Sequence, residues 1–100
     1  MKELSIPVPA ARDPKSMEML RVWVAEQGLH CSVRVGVYED SGRVSEEKAW
    51  GIMLADIARH VSVALESRSG LDPAKTVESI NRCLQEELHR PSSAVKGGFK

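Results

Sequence analysis

The sequence predicts an α+β domain: an antiparallel β-hairpin, over about 19–25 and 30–38, packed on a long helix over about 45–68, with a second helix over about 72–89 alongside. Three observations carry that expectation. Apolar and polar residues alternate with period two through 20–38, as a half-buried strand pair requires. From Trp50 to Leu65 the apolar residues recur instead at i, i+3, i+4 and i+7, the stripe of a core-facing helix. Asp72-Pro73 and Pro91 then bracket a second run with the same helical spacing.

Residues 1–16 hold Pro7, Pro9 and Pro14 and read as an extended N-terminal arm. Asp13-Pro14 also suits the start of a helix, with Asp13 as N-cap and Pro14 at the first position. In the hairpin, Leu20, Val22 and Val24 alternate with Arg21, Trp23 and Ala25, and Cys31, Val33, Val35 and Val37 with Ser32, Arg34, Gly36 and Tyr38. A loop of about four residues around Gly28 joins the two runs. That loop sets Val24 opposite Cys31, Val22 opposite Val33 and Leu20 opposite Val35, which makes one face uniformly apolar. It also sets Arg21 opposite Arg34, a like-charge pair. Helical spacing of Leu20, Trp23 and Val24 offers a competing helix over 14–27.

Asp40-Ser41-Gly42 is turn chemistry. Ser45 suits the N-cap of the long helix, and Glu46 and Glu47 complement its dipole. Trp50, Met53, Leu54, Ile57, Val61, Ala64 and Leu65 form its core stripe, and Gly70 fits its stop. Asp72-Pro73 opens the second helix, whose stripe is Val77, Ile80, Leu84 and Leu88. Residues 17–91 thus make a single α+β domain, and 92–100, with Gly97-Gly98, a mobile tail.

The long helix is apolar beyond its stripe. Gly51, Ala55, Ala58 and Ser62 form a small-residue row suited to close helix contact, while Ile52 and Val63 lie on the far side. A helix apolar nearly all round is normally buried nearly all round, and a hairpin has open edges. A second copy of the chain answers both needs, so the expected state is a homo-oligomer, most simply a twofold dimer. The simpler alternative has the second helix and the arm provide the cover.

Composition narrows the function classes. One hundred residues suit one domain, and an apolar fraction of 42% with 28% charged residues is ordinary for a globular chain. Fourteen basic and fourteen acidic residues cancel, which removes the electrostatic drive that dominates nucleic-acid binding. Pro7 and Pro9 interrupt Ile6, Val8 and Ala10, so no export signal or membrane span is expected, and the setting is cytoplasmic. Cys31 and Cys83 are expected as reduced thiols.

Asp56, Arg59 and His60 are the candidate polar cluster. One helical turn separates Asp56 from His60, so the carboxylate has the spacing to orient and charge the imidazole, half of a general-base arrangement. No nucleophile stands at a diagnostic spacing, and an ion pair of Asp56 with Arg59 or His60 at the helix surface explains the cluster equally. The spacings of His30, Cys31, Cys83 and His89 match no zinc pattern, and no metal or cofactor is implied. Arg21, Trp23, Arg34 and Tyr38, on the hairpin face away from the valines, form a candidate interaction surface of the residue types that anchor protein contacts.

Leu20-Arg21-Val22-Trp23, Ala49-Trp50-Gly51-Ile52 and Asp56-Ile57-Ala58-Arg59-His60 together resemble a group of roughly hundred-residue bacterial proteins classed only as a domain of unknown function. The resemblance covers about 17–91. It implies a bacterial cytoplasmic origin and carries over no reaction, ligand, partner or functional residue. The leading expectation is therefore a non-enzymatic interaction or scaffold protein acting as a homo-oligomer, with protein partners and neither membrane nor nucleic acid. The rival is a small ligand-binding protein or enzyme with a site around Asp56, Arg59 and His60.

Overall fold

The computed structural model describes residues 1–40 and 42–100, and the turn expected at Asp40-Ser41-Gly42 includes Ser41, which lies outside the described residues. The chain is α+β. A three-stranded mixed sheet and two long helices follow a short first helix in the order α1 (Val8–Arg12), β1 (Leu20–Ala25), β2 (Gly28–Val33), α2 (Glu46–Ser69), α3 (Pro73–His89) and β3 (Val95–Lys96). It divides into two compact units, Met1–Val35 with Lys96–Lys100 and Gly36–Val95.

In the first unit, Asp13 ends a helix rather than starting one. Pro9 sits in the first turn of α1, and the Asp13 amide donates to the Pro9 carbonyl at 2.9 Å. The Asp13 carboxylate then accepts the Lys15 amide at 2.8 Å, an Asx turn that takes the chain out of the helix. Residues 20–25 are a strand, which resolves the helical alternative over 14–27.

The hairpin is real, but its register differs by two residues from the one read off the sequence. Leu20 pairs with Val33, Val22 with Cys31 and Val24 with Leu29. The cause is the turn. Glu26 (φ 49°) and Gln27 (φ 62°) both adopt the left-handed conformation, making a two-residue type I′ connection whose twist matches the strands. Gly28 is the first residue of β2, not part of the loop. A shift of two keeps every side chain on its predicted face, yet it removes the Arg21–Arg34 clash, because Arg21 now faces Ser32. β2 ends at Val33, earlier than the expected 38, and 36–39 turn instead.

The tail is tied to the sheet. Val33 donates its amide to the Gly98 carbonyl at 3.3 Å and accepts the Lys100 amide at 3.0 Å, and Val35 donates to the Lys100 carbonyl at 2.8 Å. Phe99 forms a parallel bridge with Val33. Gly97 (φ 142°) passes so close to β2 that a Cβ there would lie 1.8 Å from the Cys31 carbonyl oxygen. Only glycine fits.

In the second unit, local signals set both helices. The Ser45 hydroxyl accepts the Lys48 amide at 3.2 Å, and Gly70 (φ 71°) closes α2 in the left-handed conformation, its amide donating to the Glu66 carbonyl at 2.8 Å. Asp72-Pro73 opens α3. The two helices pack on each other. Beside Ala49, the buried residues of this pair are the small polar Ser62 (2% exposed) and Thr76. Their hydroxyls bond back to their own helices, Ser62 to the Arg59 carbonyl and Thr76 to the Asp72 carbonyl.

Candidate interaction surface

α2 buries only part of each apolar face: Gly51 and Ala55 of the small-residue row are exposed, and Trp50, Met53 and Leu65 of the stripe are half-buried. Ser62 is buried and Ala58 half-buried, whereas Leu54, Ile57 and Val61 of the expected core stripe are 47%, 44% and 40% exposed. The expectation that this stripe faces the core is corrected to that extent. Close helix contact favours small residues, which let two backbones approach, and Ser62 and Ala58 are the covered members of the row. Ile52 and Val63 are open as well, and on α3 Leu84 and Leu88 are exposed although Val77 and Ile80 are half-buried. Ala49 is the only buried hydrophobic residue among those described.

The hairpin unit is similar. Its apolar face holds Val22, Val24 and Leu29, all exposed. On the opposite face Trp23 and His30 pair across the strands and are half-buried. The sequence-derived surface of Arg21, Trp23, Arg34 and Tyr38 is brought together in part. Arg21 Nε donates to Glu18 at 2.9 Å and Arg34 Nε to the Glu18 carbonyl at 3.1 Å, so one residue gathers both arginines. Glu3 stands 3.5 Å from Arg21. Hydrogen bonding to Glu18 and its charge raise the Arg21 pKa above its ordinary value, burial opposes this, and Glu3 adds a smaller contribution. Trp23 and Arg21 line an open cleft of about 240 Å³ with arm residues such as Leu4 and Ile6. Tyr38 falls in the other unit, where its amide donates to Glu46 Oε2 at 2.9 Å.

Glu46 is a residue whose role sequence reasoning missed. Its second carboxylate oxygen accepts the Gly36 amide at 2.9 Å, so one side chain pins both ends of a short loop to the start of α2. The only signal was its place in the first helical turn, where any carboxylate is favourable.

Asp56 bonds to Arg59, three residues on, and both are well exposed. The structure does not couple Asp56 to His60, which is exposed. None of the three lines a described cleft. Cys31 and Cys83 are free thiols. Among the described residues no three His, Cys, Asp or Glu side chains gather as a metal site, and no helix is long and apolar enough to cross a membrane.

The described residues thus form a small α+β chain with open apolar side chains on its helices and hairpin. Residues 3–92 match the family described as a domain of unknown function, DUF5076, and the chain belongs to that family. A solved structure from the photosynthetic bacterium Rhodopseudomonas palustrus CGA009, provisionally described as a pyruvate dehydrogenase, is similar at 26% identity and a TM-score of 0.66, over 94% of this chain and 90% of that one. No curated protein matches.

Proposed function

We propose that the chain is a non-enzymatic interaction or scaffold protein that works as a homo-oligomer, most simply a twofold dimer, in a bacterial cytoplasm. The observation that supports this reading is the open stripe of Leu54, Ile57 and Val61 on α2 beside an almost empty hydrophobic core. Fully burying such a side chain is worth about 1.5–3 kcal/mol. A chain that leaves several of them half-covered has much to gain from a second copy and, with a formal net charge of zero, little self-repulsion to overcome. The bacterial setting rests on the R. palustrus neighbour and the cytoplasmic one on composition.

The pyruvate dehydrogenase description of that neighbour is not carried over, since no constellation of side chains described here points to that chemistry. A site at Asp56, Arg59 and His60 has weaker support, because Asp56 is taken up by Arg59. Native mass spectrometry with sedimentation velocity across a range of concentrations tests the reading. A mass of two chains with nothing added is expected. A monomer at all concentrations overturns it, and a bound small molecule redirects attention to the rival.

A further inference from the structure

We propose that the outer edge of β1 is the seam at which two copies join, pairing antiparallel about a twofold axis at Val22 into one continuous sheet. This rests on the homo-oligomer reading and assigns it a surface. β1 is the longer of the two edge strands in the sheet order β1-β2-β3. Its hydrogen-bonding phase follows from two observations. The Arg34 amide donates to the Met19 carbonyl at 2.9 Å, and Val33 spends its own amide and carbonyl on the tail, not on Leu20. In an antiparallel ladder the bonded pairs alternate. Arg21 and Trp23 therefore bond inward to Ser32 and His30, and Leu20, Val22 and Val24 turn their amides and carbonyls outward.

Among the described residues no hydrogen bond takes up those outward groups. Arm residues 2–7 stand beside β1 across the cleft, yet no backbone hydrogen bond joins arm to strand, and the one polar link is Arg21 to Glu3 at 3.5 Å. Residues 20–25 also contain no proline, no lysine and no bulge, and Arg21 is the one charged side chain among them. Val24, on this edge, is 84% exposed and Val22 49%.

The edge is complementary to itself in one register. With Val22 opposite its own copy, Leu20 lies opposite Val24 of the second chain, and all the outward groups are bonded. Arg21 then lies opposite Trp23 of the second chain, and Trp23 opposite Arg21, in the close non-bonded pairs where a guanidinium meets an indole. A slip of two residues one way sets Arg21 against Arg21. The other way leaves Leu20 outside the paired strand. Charge and overlap select the same register, and the apolar face of the hairpin runs on across the axis.

The full-length chain supplies the test. Val22→Pro removes an outward amide without touching the β1–β2 ladder, so it is expected to keep its circular dichroism and to dimerise at least tenfold more weakly in sedimentation velocity. Folded Val22→Pro protein that associates like the wild type overturns the proposal. A chain with Cys31→Ala and Cys83→Ser gives a second measurement that does not depend on proline being tolerated. In it, Val22→Cys is expected to form an interchain disulfide, because the paired α-carbons would stand about 5.5 Å apart, whereas Val24→Cys, opposite residue 20, is expected to form none. No crosslink at 22, or equal crosslinking at 24, overturns the seam. A wild-type dimer with either result leaves the homo-oligomer standing on another surface, and a wild-type monomer removes both.

Discussion

Replacing Ile57 by Ala separates the open stripe of α2 from the fold that carries it. Ile57 keeps 44% of its surface in the single chain. Since burying a whole isoleucine side chain is worth about 1.5–3 kcal/mol, the portion left for a partner is worth roughly 0.7–1.3 kcal/mol per copy. Twofold symmetry counts it in both chains, about 1.3–2.6 kcal/mol, which raises a dissociation constant roughly 10- to 80-fold. Alanine keeps the Cβ, so the lower part of that range is expected. The chain's own fold also loses roughly 1–2 kcal/mol from the half already covered. Sedimentation equilibrium over a concentration series reads the first effect and thermal melting the second. An unchanged dissociation constant, in protein that is still helical and shows the expected loss in melting, would refute the idea that this stripe is covered by a second copy.

Three further outcomes are expected. Gln27→Gly relieves a left-handed non-glycine residue in the hairpin turn and is expected to stabilise the protein by about 1 kcal/mol in urea titration; a loss would contradict the type I′ turn. Gly97→Ala sets a methyl group into the Cys31 carbonyl, and hydrogen exchange at Val33, Val35 and Lys100 is expected to accelerate while α2 and α3 stay protected. Glu87 accepts the Ser92 amide at 2.9 Å and its hydroxyl at 2.8 Å, which holds its pKa below the ordinary carboxylate value. A depressed folded-state pKa stabilises the fold above the unfolded value and stops doing so as pH falls through the folded one. Exchange of the Ser92 amide, corrected for intrinsic rate, should therefore rise on acidification below the usual carboxylate range and be pH-independent in Glu87→Gln.

Both long helices were legible because their signals are local. Ser45, Gly70 and Asp72-Pro73 act within a turn of the ends they mark, so the helix expected over 45–68 is Glu46–Ser69 and that over 72–89 is Pro73–His89. Strand register was less legible, since it depended on whether the chain would tolerate Glu26 and Gln27 at positive φ beside an available Gly28. The tail's pairing depends on residues far apart in the chain, and neither Gly97 nor Phe99 announces β2 as its partner. For the candidate sites, spacing identified who can reach whom on α2 but not who does. Asp56 had both Arg59 and His60 within a turn, and the longer, always-charged guanidinium took it. Neither helical pattern alone marked the covered side, since Ala58 and Ser62 of the small-residue row are covered with Trp50, Met53 and Leu65 of the stripe, while Gly51, Ala55, Leu54, Ile57 and Val61 are exposed.

The late return of the tail to β2 also orders events in time. The β1–β2 hairpin and the α2–α3 pair each close over short stretches of chain, steps of microseconds. Val33 must wait for Phe99, which follows both helices in the sequence, and the entropy of closing so long an excursion is repaid only when that last strand docks. Until then β2 has no neighbour on its far side. A nascent chain caught in that interval leaves the whole far edge of β2 bare, where the finished one has the tail paired against it, which makes the interval before tail docking a period of exposure to mispairing and aggregation.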